Sequence, residues 1–141
     1  MTKFVIDANV AIKWLFPEVH HQDALRLLDQ QNNELFVPDF FFSEIGNILW
    51  KKVRRGEIDL KTSQEHFQDI LAVDFQIYSS NILVPFALEI AVRTQQAVYD
   101  CVYLALAVQK NCQMVTADER FFNSLQTDSL ASYLCWVENI P

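Results

Sequence analysis

A three-layer α/β/α domain on a central, mainly parallel sheet is what this sequence predicts, and three observations carry the prediction. Apolar runs of strand length alternate with helix-length segments along the whole chain. No two strand-like runs are joined by a hairpin turn signal, so the strands must run parallel, linked by right-handed crossovers. The chain is 141 residues long and 51% hydrophobic, with eleven Phe and three Trp, which is enough to core one such domain over 1–141. Two Gly and four Pro leave little room for linkers.

The first strand is Phe4-Val5-Ile6-Asp7, whose three large apolar residues read as buried on both faces. Such a strand should not carry a charge inside it, so Asp7 marks its exit. Val10 to Phe16 follows as a short helix that Pro17 ends, and His21 to Gln30 as a second, with Ala24, Leu25, Leu27 and Leu28 as its packing face. Asn32-Asn33 turns the chain into the strand Leu35-Phe36-Val37, ended by Pro38. Asp39 reads as the N-cap of a long helix reaching about Arg55, with Gly56 just past its end. A helix from about Asp59 to Val73 is expected to bury Leu60, Phe67, Ile70 and Leu71.

Phe75-Gln76-Ile77-Tyr78 alternates like a strand, and Ile82 to Gln95 is helical with Pro85 tolerated in its first turn. Tyr99 to Lys110 is apolar almost all round and hence central. Met114-Val115-Thr116 is a strand, Asp118 to Leu125 a helix, and Leu134-Cys135-Trp136-Val137 a last strand.

Composition excludes several classes. No apolar run approaches the roughly 18–20 residues of a membrane span, so no membrane partner is expected. The chain enters its first strand almost at once, and the expectation is of no signal peptide. Cys101, Cys112 and Cys135 are odd in number and lack CxxC spacing, which fits a reduced cytoplasm rather than disulfides or structural zinc. A net charge of −7 argues against long-range attraction to nucleic acid, except so far as acids are committed to a metal.

Four acids stand in unusually apolar settings. Asp7 and Asp118 follow strands, where ligands bind in open α/β sheets. Asp100 opens the most hydrophobic helix. Glu44 shares a helix face with Phe40, Phe41 and Ile48. Each has a plain alternative: the three Asp can be N-caps or dipole partners, and Glu44 a helix-edge residue reaching water. Together they point to one acidic pocket. Four carboxylates cannot all ionise side by side without compensation, and hard divalent cations take such oxygen ligands. The chemistry that follows is metal-assisted phosphodiester hydrolysis.

The segments Val5-Ile6-Asp7-Ala8-Asn9, Pro38 to Ile45, Tyr99 to Ala107 and Val115-Thr116-Ala117-Asp118 resemble, in order and spacing, the PIN-domain nucleases, and specifically VapC-type toxins. That resemblance implies that Asp7, Glu44, Asp100 and Asp118 form the catalytic, metal-holding quartet for Mg²⁺ or Mn²⁺. It makes Asn9 and Thr116 supporting polar positions. It also implies cleavage of single-stranded RNA, a homodimer, and a cognate antitoxin protein. The pattern departs at Ala8, where many relatives have Ser or Thr. It departs again at Arg120, where some carry a further Asp or Asn, so a second metal site lacks an acid there.

Basic residues gather at the end of the long helix. Lys51 lies two turns past Glu44, roughly 10 Å along the axis, and is a candidate RNA contact, as is Lys13. Lys52, Arg54 and Arg55 read as a solvated, dipole-complementing end. His20-His21 with Asp23 lacks the partners of a metal site. Phe40-Phe41-Phe42 reads as core and interface, and with Trp14, Phe16 and Phe36 is expected to supply a dimer or antitoxin contact. Among competing readings, a haloacid-dehalogenase-type phosphatase would need an Asp where Asn9 stands. A non-catalytic RNA- or protein-binding module would gain nothing from clustered acids.

Overall fold

β1 (Thr2–Ile6) takes the centre of a five-stranded sheet because Phe4, Val5 and Ile6 are all buried and leave no side chain for water to claim. The computed structural model describes residues 2–141. The other strands are β2 (Asn33–Pro38), β3 (Phe75–Tyr78), β4 (Gln113–Thr116) and β5 (Leu134–Trp136). Their order is β3-β2-β1-β4-β5, and every pairing is parallel, with Val5 beside Phe36 on one side and Met114 on the other. The chain thus steps outward one way from β1 and later resumes beside β1 in the opposite direction. That reversal opens a crevice beyond the carboxyl ends of β1 and β4.

The helices are α1 (Ala8–Ala11), prolonged by a 3₁₀ turn over Ile12–Trp14, then α2 (His21–Asp29), α3 (Phe41–Arg54) and α4 (Leu60–Leu71). After β3 come α5 (Val84–Thr94), α6 (Val98–Lys110) and, after β4, α7 (Glu119–Ser124). Right-handed crossovers put α1–α4 on one face and α5–α7 on the other, the predicted three layers. All of Cys101–Ala107 is buried on α6, as its nearly uniform apolar sequence requires.

Several expectations need correction. Asp39 does not cap α3. It is exposed, and its N–H donates to the Tyr78 carbonyl at 2.8 Å, extending the β2–β3 ladder, while Phe40 takes the cap position. Gly56 does end that helix region, at φ +75, where a side chain would be strained.

The aromatic residues assigned to partner contacts are mainly core. Trp14, Phe36 and Phe41 are buried, Phe41 and Trp14 pack on Phe75, and the Trp14 indole N–H donates to the Ala24 carbonyl at 2.8 Å. Leu60 and Leu71 on α4, expected inside, are 64% and 49% exposed. Exposed apolar surface gathers instead on α3–α4, around Trp50 and Leu60, and on α5, at Leu88 and Val92. The three cysteines are free, and burial pushes the Cys101 and Cys112 thiols up to about 11. Among the described residues no helix is long and apolar enough to cross a membrane.

Candidate active site

Asp7 occupies the N-cap position of α1 in extended backbone, φ −69 and ψ 144, yet its side chain makes no capping hydrogen bond. A cap alone therefore does not account for placing an acid here. The residue as a whole is 4% exposed. Burial, then the charges of Asp100, Glu44 and Asp118, push it up from 3.8 to about 7, and only the nearby N–H of Asn9 favours the ionised form. A buried carboxylate in this condition costs stability unless it is neutralised or paired.

Asp100 lies in the first turn of α6, half-buried, and is pushed up to about 6 by burial and then by Asp118 and Glu44. Glu44, half-buried on α3, is raised by burial and steadied by the Tyr103 hydroxyl, which donates to its Oε1 at 2.5 Å. Tyr103 lies one turn beyond Asp100 on α6, so it ties the two faces of the sheet together at the crevice. Burial, with the charges of Asp7 and Glu44, holds that hydroxyl far above the usual phenol range, so it remains a donor. The reading of the sequence missed Tyr103. Its signal was a hydroxyl inside the uniformly apolar run Cys101–Ala107, which must find a partner when buried.

Asp118 is exposed and does cap its helix, accepting from the Phe121 N–H at 3.1 Å through Oδ1. Thr116, fully buried at the end of β4, accepts the Asp118 N–H at 3.1 Å through Oγ1 and so shapes the turn that presents the acid. Asn9 is exposed and forms part of the wall between two adjoining clefts.

The first cleft, about 500 Å³, runs from Asp118 past Asn9 to Lys13, Lys51, Lys52 and Arg55. Glu18 bridges two of these cations, lying 3.4 Å from the Lys13 ammonium and 3.5 Å from that of Lys52. Lys52 is not the solvated residue predicted. Its ammonium sits 4.3 Å from the centre of the Phe16 ring and its side chain is mostly covered. Lys51 is exposed. The sequence hides Glu18, which lies in a turn after Pro17, but Lys52 stands four residues past Ile48 on the same stripe. The second cleft, about 520 Å³, shares Asn9, Ile48 and Lys51 and holds Glu44 and Tyr99.

An apolar groove of about 330 Å³ between α3 and α4 has no ionisable residue in its wall and takes no part in this chemistry. The histidine pair serves structure: His20 lies 3.3 Å from Asp23 and 3.8 Å from Glu138, and His21 pairs with the Lys13 carbonyl.

The donor set at the crevice is carboxylate oxygen throughout, which fits a hard cation such as Mg²⁺ or Mn²⁺. Among the described residues no three His, Cys, Asp or Glu side chains stand close enough to clasp an ion directly. Mg²⁺ needs no such clasp, since it is commonly held through one or two carboxylates and several waters.

Residues 4–125 match the family model described as PIN domain. Ribonuclease VapC3 of Pyrobaculum aerophilum is 29% identical over 122 residues, covering 84% of this chain and 91% of that protein. Of solved structures, PAE2754 from Pyrobaculum aerophilum superposes with a TM-score of 0.71 at 20% identity, over 97% of this chain and 85% of that one. VapC20 of Mycobacterium tuberculosis, a sarcin–ricin loop cleaving toxin, gives 0.65 at 16% identity, over 86% and 94%. VapBC2 from Rickettsia felis, bound to a promoter DNA fragment, gives 0.63 at 13%, over 96% and 98%. At these identities the structural likeness establishes the fold.

Proposed function

Because this chain belongs to the PIN-domain family and is similar to a VapC ribonuclease, we propose that it is a Mg²⁺- or Mn²⁺-dependent endoribonuclease. It cuts single-stranded segments of RNA as the toxin of a VapBC-type pair, acting in the cytoplasm. The observation that carries this reading is Asp7, a strand-end carboxylate pushed up by its burial and then by the charges of three further acids. A cation among these acids would offset the cost of keeping them ionised.

Asp7, Glu44, Asp100 and Asp118 are the residues that would hold the metal. When bound, it would lower the pKa of an attacking water and offset charge on the scissile phosphate. The chain's own residues supply the rest. Tyr103 orients Glu44 by donating to Oε1, and the Thr116 turn presents Asp118. Lys51, with Lys13 and Lys52 behind it, neutralises backbone phosphates in the first cleft. Attack by water rather than by the ribose 2′-hydroxyl leaves 5′-phosphate and 3′-hydroxyl ends. Purified protein with Mn²⁺ and a loop-bearing RNA tests this, and 2′,3′-cyclic phosphate ends would reject it. Lys51→Ala should weaken RNA binding across sequences and lower the slope of log affinity against log salt by about 1.

Tyr103→Phe should lower activity about 10-fold, in the range typical of groups that orient metal ligands. Steady-state rates of Tyr103→Phe, Glu44→Gln and the double variant check this. If the hydroxyl acts through Glu44, the double variant is no worse than Glu44→Gln alone.

The remaining proposal concerns protein partners. Two separate apolar surfaces, on α3–α4 and on α5, provide for a homodimer contact and an antitoxin contact. Light scattering at micromolar concentration should give the mass of a dimer. A monomer would remove the dimer from this scheme.

A further inference from the structure

We propose that the second cleft is a nucleobase subsite, in which the Tyr99 ring stacks on an unpaired base beside the scissile phosphate and the Asn47 amide meets that base's edge. This rests on the ribonuclease reading of the carboxylate pocket and assigns the cleft a ligand class that the reading leaves open.

Tyr99 precedes Asp100 on α6 and is 66% exposed, so one of the largest side chains near the acids turns most of its surface to solvent. Its ring is nevertheless held in place. Phe40 meets it at 5.6 Å and 88°, and meets Tyr103 at 5.5 Å and 86°. Tyr103 in turn donates to Glu44. The exposed ring and the half-buried carboxylate are thus linked through a single row of aromatic contacts, and a base stacked on Tyr99 has a defined position relative to Glu44. Offset and edge-on aromatic contacts of this kind favour such fixed orientations.

Charge divides the labour between the clefts. The first sets Lys13, Lys51, Lys52 and Arg55 against Glu18 and Asp118, a net cationic wall that suits phosphates. In the second, Lys51 and Glu44 are the ionisable residues beside Tyr99, and the polar remainder is uncharged, with Asn47 one turn beyond Glu44 on α3. An aromatic face with a neutral amide beside it suits a base better than a phosphate, and single-stranded RNA is recognised by stacking splayed bases and reading their edges. Lys51 and Asn9 belong to both clefts. A strand crossing them can lay its phosphates to one side and one base to the other.

The test uses the full chain with Mn²⁺ and short single-stranded RNAs in which 2-aminopurine replaces one base at a time. In rapid mixing, before cleavage, fluorescence should be quenched at one position relative to the cut. Tyr99→Ala should remove that quench and raise KM about 10–100-fold, while Tyr99→Phe and Tyr99→Trp keep both near wild type. An RNA with an abasic nucleotide at that position should no longer distinguish wild type from Tyr99→Ala. Asn47→Ala should alter the preference among bases there and leave the abasic RNA unaffected.

An unchanged quench and KM in folded Tyr99→Ala would overturn the subsite while leaving the ribonuclease reading intact. So would unchanged RNA behaviour accompanied by a shift in oligomeric mass, since the ring would then cover a protein contact. A wild-type protein that neither binds nor cuts RNA would overturn both.

Discussion

Asp7→Asn should abolish RNA cleavage, by a factor on the order of 10²–10³ or more, and at the same time make the metal-free protein more stable. The two effects share one cause. The Asp7 carboxyl group is buried, uncapped and faced by three other acids, and is pushed up from 3.8 to about 7. Between those two values the folded protein binds a proton that the unfolded chain has released. Stability in EDTA therefore falls as pH rises through that window, is highest toward its acid end, and bears the full penalty above pH 7. About three pKa units correspond to a penalty on the order of 4 kcal/mol. Asn keeps the shape without the charge. Melting curves in EDTA at pH 5 and pH 8 should differ for the wild type and differ less for Asp7→Asn, which keeps the smaller contribution of Asp100. An Asp7→Asn protein that cuts RNA at the wild-type rate, or that is less stable than wild type at pH 8, would mean that Asp7 serves the fold rather than the chemistry.

Divalent metal should raise the melting temperature of the wild type by an amount on the order of 10 °C, and EDTA should reverse the gain. At a concentration near one hundred times Kd, a ligand that binds only the folded state contributes about 2.7 kcal/mol, and each kcal/mol is worth a few degrees in a domain of this size. Occupancy should also remove the pH dependence just described, because a cation replaces the proton on the raised carboxylates. Asp100→Asn should reduce the response strongly, since Asp100 is likewise pushed up, to about 6, by burial and the acids around it. Asp59→Ala makes a useful control. That acid caps α4 through the Thr62 N–H at 2.7 Å and lines neither cleft, so its loss should lower stability without touching the metal response. A flat melting temperature across a Mg²⁺ and Mn²⁺ titration would remove the metal from this account.

Much of this protein is legible in its sequence, for reasons that are local. Phe4-Val5-Ile6 can only be a strand covered on both faces, and Asp7 must then lie at its exit. The uniformly apolar Cys101–Ala107 can only be a central helix, and strand–helix alternation without hairpins implies the parallel sheet that is observed. The four acids are marked by the apolar runs that carry them. What the tertiary structure alone decided is which side of each element is covered, because that depends on residues far away in the chain. Trp14, Phe36 and Phe41 are large enough to make an interface, yet they are core because β3 and α2 supply the surfaces they pack on and hydrogen-bond to. Leu60, at helical spacing with buried neighbours, finds nothing above it and stays exposed. The Glu44 carboxylate receives a hydrogen bond from a tyrosine 59 positions away, and Lys13 and Lys52 converge on Glu18 from different helices. Periodicity specifies the faces of a helix, but only the packing of the whole chain determines what lies against each of them.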